Sequence, residues 1–360
     1  MEVVDPPFQK SFKTLFQNYL QKEEEQKVIF IENKKKHQQL LLVDDNEKCG
    51  GDDDQLPVID LSRLSLGSVL EREKCKREIV EASKEWGFFQ VVNHGISHEI
   101  LEKIVNEQVK LFRQSFDKKA NGKVSNFSSD SYRWGTPAPT SQFSWSEAFH
   151  IPLAEISRRS GGDFNNTLRL TIEEFATTVS ELAQEIAGIL AENVVGYETS
   201  DAAGGYFAEN CLAETCYLRL NRYPPCPISS DHVFGLMPHT DSDFLTILYQ
   251  DQVGGLQLVK DGRWVTVNPN PKALIINIGD LFQAWSNGLY RSVEHRVMTN
   301  KKVERFSVAY FLCPSYETVI QSCGKPPLYR KFSFREFRQQ VQEDVQKIGY
   351  KIGLPRDNVD

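Results

Sequence analysis

The stretch ETCYLRLNRYPPC, residues 214–226, decides the fold, because a β-prone run ends there at a pair of prolines. Further short runs rich in β-branched and aromatic residues follow, each bounded by Gly, Pro, Asn or Asp. Together the runs cover residues 216–220, 244–249, 256–259, 264–267, 273–278 and 307–312. Short strands at such spacing are typical of a β-barrel or sandwich. We therefore predict a β core over residues 214–314.

On either side of this core the apolar residues have helical spacing. Helices are predicted near residues 70–86, 97–117, 169–195 and 333–349, with a buried strand at 88–92. Residues 1–54 mix charged runs with short apolar patches, which predicts a variable, partly disordered extension. The predicted organisation is this extension, a helical region 55–213, the core 214–314 and a helical C-terminal region 315–360.

Composition limits the function. The chain has 360 residues, 40% hydrophobic and 25% charged, which is ordinary for a globular protein. A net charge of −7 gives no support to a nucleic-acid partner. The seven cysteines show no paired spacing, which favours a reducing compartment. The sequence shows neither a secretory leader nor a membrane-spanning run. We expect a cytoplasmic protein, with nuclear access left open and the oligomeric state not indicated.

The first chemical signal is MPHTD, residues 237–241. On an extended chain, residues i and i+2 face the same way, so His239 and Asp241 can both point into a barrel while Thr240 points out. A second imidazole is available further along, from His295. Two His and one carboxylate on one face of a metal leave three positions open, as in the Fe(II) oxygenases. These three residues are the predicted metal ligands, although His-x-Asp alone is a weak signal.

A second pair at the same spacing is Arg305 and Ser307. The guanidinium fork of Arg matches a carboxylate, and the Ser hydroxyl adds a donor. A 2-oxo acid that chelates the metal through its keto end presents its far carboxylate to such a pair. Asn221 and Tyr223 lie just before a Pro-Pro turn and face the same way. We predict that all four residues contribute to one co-substrate site.

Taken together, these motifs resemble the plant 2-oxoglutarate-dependent dioxygenase family. The resemblance rests on Leu56–Asp60, Trp86–Gly95, Asn221–Cys226, His239–Asp241, His295 and Arg305–Ser307, and covers residues 56–350. It implies an α+β fold with a β-dominated core, the double-stranded β-helix or jelly roll, flanked by helices. It also implies Fe(II) on the three predicted ligands, 2-oxoglutarate on Arg305, Ser307 and Tyr223, O₂ as second co-substrate, and ascorbate as reductant.

Two further segments, SYRWGTP (131–137) and SWSEAFH (144–150), are similar to those of the gibberellin 2-oxidases, above all the class that acts on C20 precursors. This resemblance implies hydroxylation of a gibberellin at the 2β carbon, which inactivates the hormone. A gibberellin is a rigid, largely apolar diterpene with carboxylates, so its pocket should offer an aromatic wall and a cation. The candidate substrate residues are Tyr132, Arg133, Trp134, Trp145, Phe244 and Leu245.

Other functions are compatible with the same residues. One is the same chemistry on another gibberellin carbon or on a flavonoid, against which only the resemblance of residues 131–150 argues. Another is a His₂Asp zinc hydrolase, which needs a general base and a bound water but no Arg-x-Ser pair. A third is a non-catalytic sensor of a small molecule, which has no need of three open metal positions. Stabilisation that requires iron and 2-oxoglutarate together would single out the oxygenases.

Overall fold

A computed structural model describes residues 55–121, 131–135, 143–157, 166–194, 200–226 and 233–358, together with Gln21. The predicted extension 1–54 therefore lies outside the described residues, apart from Gln21. The helices are α1 (Ser62–Ser65), α2 (Val69–Glu85), α3 (His98–Phe112), α4 (Phe116–Ala120), α5 (Leu153–Ser157), α6 (Asn166–Ala191), α7 (Ser200–Asn210), α8 (Asp280–Trp285) and α9 (Phe334–Ile348). The strands are β1 (Val58–Asp60), β2 (Phe88–Val92), β3 (Tyr132–Trp134), β4 (Phe143–Ser144), β5 (Glu147–Pro152), β6 (Tyr217–Tyr223), β7 (Val233–His239), β8 (Leu245–Gln250), β9 (Leu256–Lys260), β10 (Arg263–Thr266), β11 (Leu274–Ile278), β12 (His295–Met298), β13 (Arg305–Leu312), β14 (Val319–Ile320) and β15 (Phe332–Ser333).

The helix ends follow local capping chemistry. The Ser68 and Ser97 hydroxyls accept backbone N–H groups at the starts of α2 and α3. At the start of α9, Ser333 forms a capping box, and Gly349 ends that helix in the left-handed conformation. The single helix predicted over 97–117 is in fact two, because α3 stops at Phe112 and α4 begins at Phe116.

The strands form two principal sheets. The larger has the order β1-β2-β11-β8-β13-β6-β5-β3, and the smaller has the order β10-β9-β12-β7-β4. Neighbouring strands are antiparallel except for the pairs β1–β2 and β4–β7. This mixed architecture, with antiparallel sheets and flanking helices, confirms the predicted jelly roll. The sheets also extend beyond residues 214–314, because β1 to β5 lie in the region 55–213, where the strand predicted at 88–92 is β2.

Helix α6 packs on the outer face of the larger sheet and fixes which side chains face inward. Tyr310, on β13, donates a hydrogen bond to Ser180 of α6 at 3.0 Å. Because side chains alternate along a strand, Arg305, Ser307 and their period-two neighbours face the other way, into the barrel. The main hydrophobic core lies between α6 and this sheet, with Phe175 among its fully buried residues.

None of the helices in the described ranges is both long and apolar enough to cross a membrane. The six described cysteines are all free thiols.

Candidate active site

Strand pairing brings the three predicted metal ligands together. His239 ends β7 directly opposite His295, which begins β12, and Asp241 follows two residues after His239. The Oδ1 of Asp241 lies 3.5 Å from His239 Nε2 and 3.8 Å from His295 Nε2. The three ligand atoms all lie within 4.8 Å of one another. One ion can therefore contact all three, with its opposite face left open.

The two imidazoles are oriented by their backbone contacts. The Nδ1 of His239 lies 2.7 Å from the carbonyl oxygen of Met237, and the Nδ1 of His295 lies 3.1 Å from that of Val293. A carbonyl can only accept, so each Nδ1 carries the proton and each Nε2 presents its lone pair to the shared point.

Asp241 is oriented by two residues that the sequence analysis missed. Its Oδ2 accepts hydrogen bonds from Thr246 Oγ1 at 2.7 Å and from Asn277 Nδ2 at 2.8 Å. These bonds occupy one carboxylate oxygen and leave Oδ1 to face the histidines. A signal for Asn277 existed, since it is a single amide within the apolar run Leu274–Ile278.

The protonation states suit a divalent metal. Burial, with a contribution from nearby His239, lowers the pKa of His295 to about 4. Burial would raise the pKa of Asp241, but the two histidines and the bond from Thr246 hold that pKa below its ordinary value. Near neutral pH, His295 is therefore neutral and Asp241 ionised, which is the state that ligates a metal. The residues fit an Fe(II) ion.

The neighbouring Asp243 completes a chain of hydrogen bonds. Its Oδ2 lies 2.8 Å from Thr246 Oγ1, which has one proton and already donates to Asp241. Burial and the charge of Asp241 raise the pKa of Asp243 well above its ordinary value. The raised pKa favours the protonated form of Asp243, in which the carboxyl group donates to Thr246 while Asp241 stays charged.

The predicted co-substrate residues also converge. In the pairing of β13 with β6, Arg305 lies opposite Tyr223, and Ser307 lies opposite Asn221. The Arg305 guanidinium carbon is 4.8 Å from the centre of the Tyr223 ring. Its Nη2 donates to Gln250 Oε1 at 2.7 Å, a partner that the sequence analysis missed. Arg305 is only 2% exposed, so its charge is held out of water.

This buried guanidinium has spare donors. The Nε of Arg305 and the Nε2 of Gln250 are buried and donate to no acceptor among the described residues. Burying a cation with unused donors is costly unless an anion is bound. The distal carboxylate of 2-oxoglutarate meets this need, so the site fits the co-substrate. Behind it, Gln108 Nε2 donates to the carbonyls of Asn221 and Ser307 at 2.9 and 2.8 Å and fixes this strand pair.

Four of the predicted substrate residues lie on β3 or, in the case of Trp145, between β4 and β5, and their surroundings differ. The Tyr132 hydroxyl donates to the buried carboxylate of Glu147 at 2.7 Å, so its polar end serves the interior. Trp134 and Trp145 meet edge to face with ring centres 5.7 Å apart. The Trp145 indole N–H is buried and donates to no acceptor in the described part of the chain. Arg133 is exposed.

The other two predicted substrate residues lie in the core. Phe244 is fully buried, with its ring centre 5.2 Å from that of Phe207 and 5.9 Å from that of Phe282. Leu245 is also fully buried, and it precedes Thr246 on β8. Since Thr246 faces Asp241, alternation turns Leu245 away from the site. We therefore correct the prediction that this pair lines the pocket.

A cationic and aromatic surface not predicted from the sequence continues from the co-substrate residues. On β6, Arg219 Nε donates to Asn221 Oδ1 at 2.9 Å, and Arg219 lies opposite His150 of β5. The Tyr217 ring stacks on Phe311 of β13, with centres 4.4 Å apart. Burial, together with the charges of Arg219, Arg338 and Arg133, lowers the pKa of His150 to about 3. His150 is therefore neutral, and the positive charge belongs to the arginines.

Comparison with known proteins gives matches over most of the chain. The model of the 2OG-Fe(II) oxygenase superfamily matches residues 214–314, and that of the non-haem dioxygenase N-terminal region in morphine synthesis matches residues 56–161. Gibberellin 2-beta-dioxygenase 8 of Arabidopsis thaliana is 58% identical over 98% of both chains. Gibberellin 2-beta-dioxygenase 6 of Oryza sativa subsp. japonica is 52% identical over 83% of this chain and 84% of its own.

Solved structures agree with the architecture. The crystal structure of JOX2 in complex with 2OG, Fe and JA has 30% sequence identity and a TM-score of 0.65, over 84% of this chain and 90% of that one. The dioxygenase for auxin oxidation from rice has 28% identity and a TM-score of 0.67, over 85% of this chain and 100% of that one.

Proposed function

We propose that the chain, which belongs to the 2OG-Fe(II) oxygenase superfamily, hydroxylates gibberellins at the 2β carbon. The proposed substrates are the C20 precursors, and the hydroxylation inactivates the hormone. The oxygenase chemistry is supported by the triad of two histidines and one aspartate, together with a buried arginine whose Nε donates to no acceptor among the described residues. The substrate is supported by the two gibberellin 2-beta-dioxygenases, which align over most of the chain.

In the proposed reaction, bound Fe(II) supplies the coupled oxidation in which 2-oxoglutarate becomes succinate and CO₂ while one oxygen atom of O₂ enters a substrate C–H bond. His239, His295 and Asp241 hold one face of the ion. Arg305 and Ser307 orient the co-substrate through its far carboxylate. The buried walls of the barrel exclude water from the reacting atoms.

The surface formed by β5, β6 and β13 suits the rest of a gibberellin. Tyr217 and Phe311 offer a flat apolar wall for the rings, and Arg219 offers a cation for a carboxylate. Arg133, the cation predicted from the sequence, lies opposite Ala148 of β5, which lies opposite Asn221 of β6. Residues opposite one another share a face, so exposed Arg133 lies on the same face, at the sheet edge. We assign it to the entrance and Arg219 to the bound substrate.

We also propose a domain organisation, a cellular location and a class of binding partners for the enzyme. Residues 214–314 form the catalytic core in this proposal, with flanking regions 55–213 and 315–360. A cytoplasmic location and a partnership restricted to small molecules are supported by the six free thiols and the net charge of −7.

Mass spectrometry tests the proposal. Purified protein is incubated with Fe(II), ascorbate and 2-oxoglutarate, and separately with a C20 and a C19 gibberellin. The expected product is the C20 gibberellin carrying one more oxygen atom, formed in a one-to-one ratio with succinate. Reaction of the C19 compound alone would overturn the class assignment. Succinate without any hydroxylated gibberellin would overturn the substrate while leaving the iron site intact, and no succinate from iron-loaded protein would overturn the oxygenase reaction.

A further inference from the structure

The C-terminal segment reaches the turn that carries the metal ligands. Lys351 Nζ donates to the carbonyl oxygen of Thr240 at 3.0 Å, and Thr240 separates His239 from Asp241. The same ammonium forms an ion pair with Asp280 Oδ2 at 2.6 Å. The Lys351 and Asp280 side chains are only 10% and 3% exposed. A residue beyond the last long helix therefore binds directly to the backbone between two metal ligands.

The opposite side of this turn is held by the beginning of α8. The backbone N–H of Asp280 donates to the carbonyl of Asp241 at 2.9 Å, and that of Leu281 donates to the carbonyl of Asp243 at 2.9 Å. Asp280 thus contacts the turn twice, through its own backbone and through Lys351. The Thr240 hydroxyl adds a third contact by donating to Asp280 Oδ2 at 3.3 Å.

The surrounding residues fix Lys351 in this place. Asp344 of α9, whose side chain is 1% exposed, accepts from the backbone of Ile352 at 3.3 Å and pairs with Arg356 at 2.6 Å. Gly353 has φ +70, and a Cβ there would lie 3.1 Å from Asp280 Oδ2 and 3.0 Å from Lys351 Cε. The segment is thus anchored to α9 just after Lys351, and glycine at 353 leaves room for the ion pair.

We propose that Lys351 and Asp280 form a clasp through which the C-terminal segment positions the metal-binding turn and sets the affinity for the metal. Without Lys351, the Asp280 carboxylate would stay buried beside the carboxyl groups of Asp241 and Asp243 with no counter-charge. The Thr240 carbonyl would also lose this partner. Partners that orient metal ligands from outside typically change metal affinity by about 10- to 100-fold.

The direction in which metal affinity changes when Lys351 is removed distinguishes a positioning role from a purely electrostatic one. Removing a nearby positive charge, taken alone, makes the site more negative and strengthens the binding of a divalent cation. Loss of positioning weakens it. A weaker site in Lys351→Met therefore supports the clasp, because the electrostatic effect acts in the opposite direction.

The test measures Co(II) binding to the full, metal-stripped chain by calorimetry and by the visible spectrum of the bound ion. Lys351→Met is expected to bind Co(II) about tenfold more weakly. Asp280→Asn, which removes the pair but keeps the bond from Lys351 to Thr240, is expected to show a smaller loss. The matched control is Lys347→Met on α9, because Lys347 pairs with exposed Glu343 at 2.9 Å within the described part of the chain. This variant should bind Co(II) as the parent does.

Near-UV circular dichroism establishes that each variant is folded. If Lys351→Met fails to fold, the polar variant Lys351→Gln takes its place, because Asp280→Asn removes a negative charge and would weaken cation binding by charge alone. Parental or tighter Co(II) binding in the folded variants would overturn the clasp. The readout needs neither gibberellin nor turnover, so this result is independent of the proposed substrate.

Discussion

The barrel end around Asp241 and the strands β3 and β5 both carry residues marked by the sequence, but they use them differently. Around Asp241, the predicted polar groups converge on one site, as in the 3.5 Å approach of Asp241 to His239. On β3, by contrast, Tyr132 turns its hydroxyl to the interior and donates to Glu147. Polar residues spaced two apart on a strand therefore predict a shared site. In a continuous motif such as residues 131–137, by contrast, neighbouring side chains alternate between the two faces of the sheet.

Glu147, at the start of β5, shows that the region of β3 and β5 stabilises the fold. Its carboxylate pairs with Lys119 at 2.7 Å and with Arg222 at 2.6 Å, and all three side chains are at most 5% exposed. Arg222 lies opposite Phe306, between the positions of the two predicted co-substrate residues on β13. The network thus joins β5 to the strand pair that carries the co-substrate site. In this region the motif residues mainly stabilise the fold, whereas the predicted residues near Asp241 bind the metal and the co-substrate.

The largest effect expected from this contrast is at the metal. Asp241→Ala removes the only carboxylate ligand and leaves two imidazoles, so 2-oxoglutarate turnover should be lost at ordinary iron concentrations. Succinate formation measures it. Glu343→Ala, a change at an exposed carboxylate of α9, should leave the rate unaltered. Near-full turnover in Asp241→Ala would show that Asp241 is not a metal ligand, and the predicted site around it would then lack its carboxylate.

Glu147→Gln should act on stability instead. The change keeps the shape but removes the carboxylate that Lys119 and Arg222 share, while Arg222 keeps its ion pair with Glu304 at 3.0 Å. The free energy of unfolding should therefore fall by about 3 kcal/mol, the lower end of the range for breaking a buried pair. Urea denaturation measures this loss. The matched control is Glu317→Gln, whose partner Arg335 is exposed, and a surface pair of this kind contributes about 1 kcal/mol or less. If both variants lost about 1 kcal/mol or less of their free energy of unfolding, the buried ion pairs of Glu147 would not be what stabilises β5 in the sheet.

The same division explains how far the sequence could be interpreted. The triad and the Arg305–Ser307 pair were predictable because alternation along a strand is local, and the four long helices followed from apolar spacing. Gln250 and Lys351 were not, because their roles depend on contacts with Arg305 and Thr240, which lie far away in the sequence. Strands β3 and β5 were missed because their place in the sheet depends on pairing with other strands, of β3 with β5 and of β5 with β6.

The second region should contribute to the pH dependence of stability through His150, alongside the buried His295 of the first. The folded state lowers the pKa of His150 to about 3, whereas the unfolded chain has the ordinary value of about 6.5. The unfolded chain therefore binds the extra proton first as pH falls, so stability decreases below about pH 6.5 and continues to fall toward pH 3. At pH 5 this costs about 2 kcal/mol. His150→Gln should show a correspondingly flatter decline between pH 7 and 5 in urea titrations, and an unchanged slope would contradict the assignment.

The smallest expected effect, and the sharpest test of the contrast, compares two arginines on the same face of the sheet. Arg219→Gln should raise the KM for a carboxylate substrate about tenfold, since charge-assisted bonds contribute about 1.5–3 kcal/mol when desolvated and less when partly exposed. Arg133→Gln, at the exposed edge, should raise KM less, by slowing association more than by weakening the complex. In both variants 2-oxoglutarate turnover without substrate should persist, because neither residue contacts Arg305 and the amide of a glutamine at 219 can still donate to Asn221 Oδ1. A larger effect at Arg133 would move substrate recognition to β3 and show that the 131–137 motif acts through direct contact after all.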